Sequence, residues 1–460
     1  MLHPESVAEI RNDRNQQRRM VAFSKASTYP TLDSPPSPEG DAGFAGSVGD
    51  AANPHDRVDN LLVYSVYRNA VDYLVSEDKE VQKKAQRLNL ADRVFSCEAA
   101  SALFNKMLLS DKVERPPALK WESLHNINLK DPFFDSLKAE YPSFEKWFTD
   151  KSREGRKAWV HFEDSHVSAL LIPKAENEAV ASTPPLPAGR RLKISTFKVE
   201  RQGRKIGELF IKLSVKFCLK NGISEMYLTH YTKSEDNLAG LLSEYGFQKH
   251  AKLGSEDLYL KRMLPDAEAK SLSPSEVGRR YYPSFYDGVM VKKFVVPIQP
   301  QYHERLFTDY SERQTTMDEH LGEFIVEGNT ISKAYLCHSQ MERISKGDLL
   351  LFYRSQDWKK LTTVGVLENV YFRQTNPSKI EETVRNRTVY SFNELQEIAK
   401  KPTLVLLFRW HFYLPKPLSI PTLKKLKALA SAPMTITKIS HNSYLRIKKE
   451  SQLDERFTVS

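Results

Sequence analysis

Residues 191–222 read RLKISTFKVERQGRKIGELFIKLSVKFCLKNG. Arg191 to Val199 alternates through Leu192, Ile194, Thr196 and Val199, which predicts a half-buried strand. Gln202-Gly203-Arg204-Lys205-Ile206-Gly207 follows at once as a glycine-containing turn. From Glu208 to Lys220 the residues Leu209, Phe210, Leu213, Phe217 and Cys218 recur at helical spacing, and Asn221-Gly222 predicts a left-handed cap. A turn that opens straight into a helix leaves the first backbone N–H groups unbonded. It also aims the positive end of the helix dipole at whatever precedes it, which suits an anion such as pyrophosphate. Gly203 and Gly207 allow close backbone approach, and Arg204 and Lys205 can add charge. Cys218 falls on the apolar face of the helix and is expected in the core rather than as a nucleophile.

The surrounding order extends this unit. Glu225 to His230 alternates as another strand, a helix follows, then Tyr245-Gly246-Phe247, then a final strand at Asp257 to Lys261. Upstream, Asp131 to Leu137 and Trp147-Phe148 fit first helices, and Lys157 to Val160 and Ser168 to Ile172 fit early strands. From Trp121 to Met263 the chain resembles the GNAT family of N-acetyltransferases. The resemblance implies splayed mixed strands with acetyl-coenzyme A against the turn, so Val199, Gln202, Gly203, Arg204, Lys205, Ile206 and Gly207 become the implied cofactor residues. The family motif runs Gln or Arg, two residues, Gly, one residue, then Gly or Ala. Gln202 and Gly207 match it, and Lys205 stands where the first Gly is usual. The family often protonates the leaving thiolate from a Tyr four residues before the Gly-Phe glycine; that position is Leu242, which has no proton to give. His230 is then the candidate general base, with Tyr231 and Tyr245 as substitutes for the missing Tyr. Tyr245 reads equally as a packing residue.

After Pro265–Arg280, rich in Ser, Ala and charge, a further core begins. Val291 to Pro297, Thr330 to Cys337, the apolar run after Lys346-Gly347-Asp348, Thr362 to Val370 and Thr403 to Phe412 read as strands, with short helices at Ser391–Lys400 and Pro421–Ala430. The run Lys346 to Arg354 followed by Val364-Gly365-Val366 resembles the PUA-like superfamily near its ASCH and EVE branches. The resemblance implies a mostly-β barrel with a small pocket for RNA or a modified base. Its candidate residues are His338, Ser339, Tyr353, Arg354, Trp358 and Trp410; aromatic planes stack on bases, and Arg or Ser bonds their edges. Core packing is the alternative for Tyr353 and Trp410. Between Lys401 and Glu450 stand ten Lys or Arg and one acidic residue. That surplus is either a phosphate-facing surface or a solvated basic face.

The N-terminal stretch is mostly helical in pattern, with Val58–Tyr73 and Lys79–Leu88 as helices and short strands at Tyr73–Ser76 and Arg93–Phe95. Residues 29–55, rich in Pro, Gly and Ala, read as a disordered insert. Asp56-Arg57-Val58-Asp59 and Val75 to Lys79 resemble the second half of a PIN nuclease domain, whose carboxylates hold divalent metal. Asp56 or Asp59, and Asp78, match its later acids, with Asp59 and Asp78 as a vestigial metal site; the earlier acids are lacking, so a divalent metal is expected only if that site were complete, and no nuclease activity is expected.

The expected architecture is therefore α/β and multidomain: a partial PIN-like α/β piece at 1–120, a GNAT α/β core at 121–263, a linker at 264–280 and a PUA-like mostly-β barrel at 281–450. The composition, 40% hydrophobic and 27% charged with a net charge of +10, is that of a globular chain. No stretch approaches the ~18 apolar residues of a membrane span, and the N-terminus lacks an apolar signal region. Cys97, Cys218 and Cys337 show neither metal spacing nor a disulfide framework, which fits a cytoplasmic setting with no membrane partner. The expected function is N-acetyl transfer from acetyl-coenzyme A to an amine of a macromolecule or nucleic-acid-linked acceptor, with RNA or DNA held by the C-terminal part. The alternative is a non-catalytic RNA- or DNA-binding regulator with an idle transferase core.

Overall fold

The computed structural model describes every residue except 109–117, 164, 201–204, 234–235, 311–323, 326–329 and 385–386. The chain divides into two compact units, Met1–Arg115 and Pro116–Ser460.

The first unit contains α1 (Pro4–Arg11), α2 (Gln16–Ala26), α3 (Ala42–Val48), α4 (Pro54–Tyr67), β1 (Leu74–Val75), α5 (Lys79–Arg87), β2 (Val94–Phe95) and α6 (Cys97–Leu108). β1 and β2 pair in parallel around α5, the order read from the sequence. α4 stops at Tyr67 instead of running to Tyr73, because Asn69 turns the chain at φ +57°. Residues 29–55 are a correction: they contain α3, expected to be unstructured. The Asp41 side chain accepts the Phe44 N–H at 3.0 Å and starts that helix. Phe44 is buried edge-on to Tyr64, with ring centroids 4.7 Å apart, beside Val48 one turn on. Two apolar residues in so short a helix anchor it without giving a readable period.

The second unit is built on two larger sheets. Its N-terminal sheet uses β3 (Ala118–Ser123), β4 (Lys157–Glu163), β5 (His166–Glu176), β6 (Arg191–Val199), β7 (Glu225–His230), β8 (Gln248–Leu253), β9 (Glu256–Arg262) and, later in the chain, β12 (Phe324–Ile325). The spatial order is β12-β3-β4-β5-β6-β7-β9-β8. α7 (Asp135–Glu140) and α8 (Phe144–Arg153) precede β4, α9 (Ile206–Lys220) joins β6 to β7, and α10 (Asn237–Glu244) joins β7 to β8. β8 is absent from the sequence reading, since Gln248-Lys249-His250 hides its alternation. Gly246 before it has φ +83°, and a Cβ there would collide with the Arg279 and Arg280 carbonyls.

α11 (Pro274–Arg280) and β10 (Phe285–Tyr286) lead into the other sheet, β11 (Lys293–Ile298), β13 (Ser332–Cys337), β14 (Leu349–Arg354), β15 (Lys360–Gln374), β16 (Thr403–Ser419) and β17 (Thr437–Ile439). The order is β13-β16-β15-β14-β11-β17. Among the described residues no pairing joins its edges β13 and β17, so the sheet is open where a closed barrel was expected. α12 (Pro300–Leu306), α13 (Pro377–Val384), α14 (Phe392–Ala399), α15 (Ile420–Lys425) and α16 (His441–Glu450) surround it, and β18 (Thr458–Val459) pairs with β10.

One apolar cluster runs from Leu209, Phe210 and Leu228 to Phe352, Phe408 and Trp410, so the sheets share a core with α9 inside it. Lys205, Glu208, Lys212 and Lys216 recur at helical spacing and turn toward the C-terminal sheet. Lys212 is fully buried; its Nζ lies 4.6 Å from the Trp410 ring centroid and 3.2 Å from Asp309. Burial opposes ionisation of Asp309, but Lys212, Lys216 and the Tyr413 hydroxyl hold its pKa well below the carboxylate range. Lys212 and Lys216 of α9 thus form an internal charge network with Asp309. Cys218 lies in the core as expected, its thiol pushed up to about 12 by burial.

Candidate functional site

β6 and β7 are parallel neighbours only at their first residues: Arg191, Leu192 and Lys193 pair with Glu225, Met226 and Tyr227. Beyond them the strands diverge. β6 stays bonded to β5 as far as Val199, and β7 stays bonded to β9 as far as His230. A cavity of about 840 Å³ opens in the wedge, lined by Ile194–Val199 on one side and Leu228–His230 on the other. The N-terminus of α9, Lys205–Glu208, lies on its wall, as do Leu241 and Tyr245 from α10 and its cap, and Tyr141, Phe144 and Trp147 from around α8.

Among the described residues no side chain caps α9. The first-turn N–H groups, on Ile206, Gly207 and Glu208, are donors of the kind that an anion can take. Gln202, Gly203 and Arg204 lie outside the described residues. Lys205 occupies the left-handed region at φ +55°, which costs a non-glycine residue roughly 1 kcal/mol and accounts for glycine being usual there. Its ammonium does not reach forward as expected. Nζ turns back to the Ser332 carbonyl at 3.5 Å and to Glu208 at 3.8 Å, and burial lowers its pKa. Glu208 accepts the Ser332 N–H at 2.6 Å, and the Tyr245 hydroxyl meets Ser332 Oγ at 3.4 Å. Ser332, from β13 of the other sheet, thus fixes the lip of the cavity, with Arg387 beside it. Gly207 is helical, and its need for glycine is one of space: a Cβ would stand 2.7 Å from Leu241 Cδ2.

His230 Nε2 lies 2.6 Å from Asp236 Oδ2. The carboxylate accepts, so Nε2 donates, which leaves Nδ1 as the ring nitrogen that Asp236 does not engage. Asp236 also caps α10 through the Ala239 N–H at 2.8 Å and accepts the Lys233 N–H at 3.2 Å. Burial raises its pKa, and these hydrogen bonds outweigh that, so the group stays ionised below the ordinary carboxylate range. Tyr231 packs on Tyr141 with centroids 5.4 Å apart and planes tilted by 33°, and the Tyr141 hydroxyl donates to Glu256 at 2.7 Å. Tyr245 is buried under the Arg409 guanidinium, its phenol raised well above the usual range by burial. Leu242 is core.

Solved structures similar in fold to parts of the chain include GNAT acetyltransferases and ASCH domains. The PaiA N-acetyltransferase from Thermoplasma acidophilum, in complex with coenzyme A, is 16% identical, matched over 31% of this chain and 97% of its own, with a TM-score of 0.24. A GNAT-family acetyltransferase from Listeria monocytogenes is 13% identical over 28% of this chain and 76% of its own, with a TM-score of 0.23. The ASCH protein from Zymomonas mobilis is 11% identical over 34% of this chain and 94% of its own, with a TM-score of 0.27. Scores at this level decide nothing about activity. No protein-family model and no curated protein matches the chain.

The C-terminal candidates do not converge. Side chains alternate along β14, placing Leu350 and Phe352 in the core shared with α9, while Leu349, Leu351 and Tyr353 enter a separate cluster on the opposite face. Tyr353 and Trp410 therefore cannot line one pocket, and both are core residues. Arg354 stacks on Trp358, Cζ 3.9 Å from the ring centroid, and is held by Asp357 and by Glu304 at 2.6 Å. His338 is exposed, and Ser339 bonds Thr435 at 3.2 Å. The basic surplus is partly spent inside the fold: Lys448 is buried against Asp287 at 2.7 Å. Lys424, Lys425, Lys427, Lys438 and Lys449 are exposed. No described helix is long and apolar enough to cross a membrane.

In the first unit Asp59 and Asp78 are brought together, joined by His55, which the sequence reading missed. Asp236, Glu256, Ser332 and Arg387 were also missed. Asp236 had one readable signal, an acid directly before an apolar helical pattern; contacts made across the sequence left none.

Proposed function

We propose that the wedge between β6 and β7 holds acetyl-coenzyme A and that the second unit transfers its acetyl group to an amine. The observation that carries this reading is the coincidence of three features: strands that part after a few pairs, a cavity of ligand size between them, and on its wall a helix N-terminus with no side-chain cap among the described residues. The residues present suit the cofactor. Gly207 clears the approach to Leu241, and the carboxylate of Glu208 is engaged by Ser332 and Lys205 rather than facing the anion alone.

When bound, the cofactor supplies an activated acetyl thioester. The chain supplies binding, orientation and a base; as the amide forms the C–S bond breaks, and coenzyme A leaves as its thiol with the proton that the attacking amine loses. The first-turn N–H groups of α9 bind and orient the pyrophosphate. His230 accepts a proton at Nδ1 from the acceptor ammonium, and Asp236 holds the tautomer that makes this possible. Tyr245, its hydroxyl on Ser332, positions the lip; Tyr231 and Tyr141 shape the acceptor side, where Glu140 and Glu256 favour a cationic amine. The acceptor is an amine on a macromolecule or nucleic-acid-linked group. Calorimetric titration with acetyl-coenzyme A, paired with thiol release over an amine panel, tests the reading; no binding at saturating cofactor rejects it.

A second reading, nucleic-acid binding with an idle transferase core, is favoured by the inward turn of Lys205 and by the exposed lysines around α15 and β17. It requires RNA or DNA binding that strengthens as salt falls, with acetyl-coenzyme A bound or not but no acetyl transfer to any amine.

A further inference from the structure

His55, Asp59 and Asp78 each offer one donor atom, and these atoms lie within 4.8 Å of one another. An acidic pair alone would carry nothing, but the surroundings are specific. His55 Nδ1 lies 2.9 Å from Glu9 Oε1 of α1. The carboxylate accepts the Nδ1 proton, and Nε2 faces the acids, 3.9 Å from Asp78 Oδ2, beyond hydrogen-bond distance; a cation there takes the place of a proton on Nε2. A carboxylate behind an imidazole whose other nitrogen is free is the arrangement that orients histidine for a metal. Asp78 Oδ1 is used by the first turn of α5, accepting the Glu80 N–H at 2.7 Å and the Val81 N–H at 3.4 Å, which leaves Oδ2 available. Asp56, on the same helix as Asp59, is taken by Lys84 and by the Ala52 N–H at 2.9 Å. Asp59 differs from all of these. It is 6% exposed, and its carboxylate has no hydrogen-bond partner among the described residues. Burial and the neighbouring carboxylate of Asp78 both oppose its charge, and a cation in the gap it shares with His55 and Asp78 offsets them.

We propose that His55, Asp59 and Asp78 bind one divalent cation of the zinc type, with Glu9 as the positioning residue for His55. Hard magnesium and calcium ions want more oxygen donors than the two carboxylates present. One imidazole and two carboxylates match a borderline ion that takes three protein ligands and leaves a position open. At metal–ligand distances of about 2.0–2.2 Å the donors draw together by roughly an ångström. His55, with an exposed side chain, is free to make that movement. The sequence resemblance suggested carboxylates alone; the imidazole and its supporting glutamate come from the fold, and the inference does not depend on acetyl transfer.

The test is metal binding by the full chain. Zn2+ is titrated against a chromophoric chelator, and Co2+ is followed by its visible spectrum. One site is expected, bound by Zn2+ at least about 100-fold more tightly than Mg2+, with a Co2+ spectrum lacking thiolate charge transfer. His55→Gln, at an exposed position that leaves folding intact, removes the preference for Zn2+. Asp59→Asn abolishes binding, and Glu9→Gln weakens it about 10- to 100-fold at unchanged stoichiometry. Wild-type Zn2+ affinity in His55→Gln, a thiolate band pointing to Cys97, or equal affinity for Mg2+ overturns the proposal.

Discussion

Gly207→Ala is the most informative single substitution in the wedge. The new Cβ would stand 2.7 Å from Leu241 Cδ2 and 3.8 Å from the Phe197 ring. Carbon atoms pack at about 3.5–4.0 Å, so Leu241 has to yield by about 1 Å. Its terminal methyl is the movable end of a flexible side chain. The overpacking therefore sits near the lower end of about 1–3 kcal/mol, and alanine recovers up to about 1 kcal/mol over glycine within a helix. Stability should change by no more than about 2 kcal/mol. Leu241 lines the cavity, however, so the space it takes is cofactor space. Acetyl-coenzyme A affinity should fall at least tenfold, about 1.4 kcal/mol. In a Leu241→Ala background, where that methyl is gone, adding Gly207→Ala should make no further difference. Calorimetry on the four proteins measures this, with urea unfolding as the stability control. If Gly207→Ala binds as the wild type does, or if its full loss persists without the Leu241 side chain, the cofactor does not lie against α10.

Asp236→Asn keeps a good helix cap for α10 but removes the acceptor that fixes His230, so kcat/KM should fall about 10²- to 10⁴-fold with cofactor affinity unchanged; steady-state kinetics beside calorimetry separates the two. His303 and His411 are held neutral, mainly by burial, with pKa values lowered from 6.5 to about 3. The unfolded chain takes up protons first, so stability is complete above pH 6.5 and is lost as pH falls toward 3. At pH 5 each histidine costs about 2 kcal/mol. Urea midpoints followed by tryptophan fluorescence at pH 7 and pH 5 check this, and equal midpoints would contradict the buried neutral state. If nucleic acid binds along α15, replacing Lys424, Lys425 and Lys427 by alanine should lower the slope of log affinity against log salt by about 2 for a single strand, read by fluorescence anisotropy.

What could be read from the sequence was local. The strand, helix and cap of 191–222 follow from alternation, helical period and Asn221-Gly222 and lie where expected, while Gln202, Gly203 and Arg204 of the turn fall outside the described residues. Lys346-Gly347-Asp348 places β14 correctly, since Gly347 takes φ +91° at that turn. What could not be read was pairing at a distance. The burial of Lys212 depends on Asp309 and Trp410, which no spacing connects to α9. The withdrawal of Lys205 depends on Ser332 in another sheet. The C-terminal pocket failed for a simpler reason: neighbouring residues on a strand point to opposite faces, and Tyr353 was grouped with Arg354 and Trp410 by chemistry rather than by parity. α3 was missed because two buried residues, Phe44 and Val48, in a Pro- and Gly-rich stretch leave no period to detect.

Hydrogen–deuterium exchange with and without acetyl-coenzyme A tests the cofactor site most directly, because it reads the backbone amides that the site is said to use. Slowed exchange is expected at Ile206, Gly207 and Glu208 and along Ile194–Val199, where β6 has parted from β7, with β4 and the C-terminal sheet unchanged. Unaltered exchange in both stretches at saturating cofactor, or protection confined to some other region, would contradict the account.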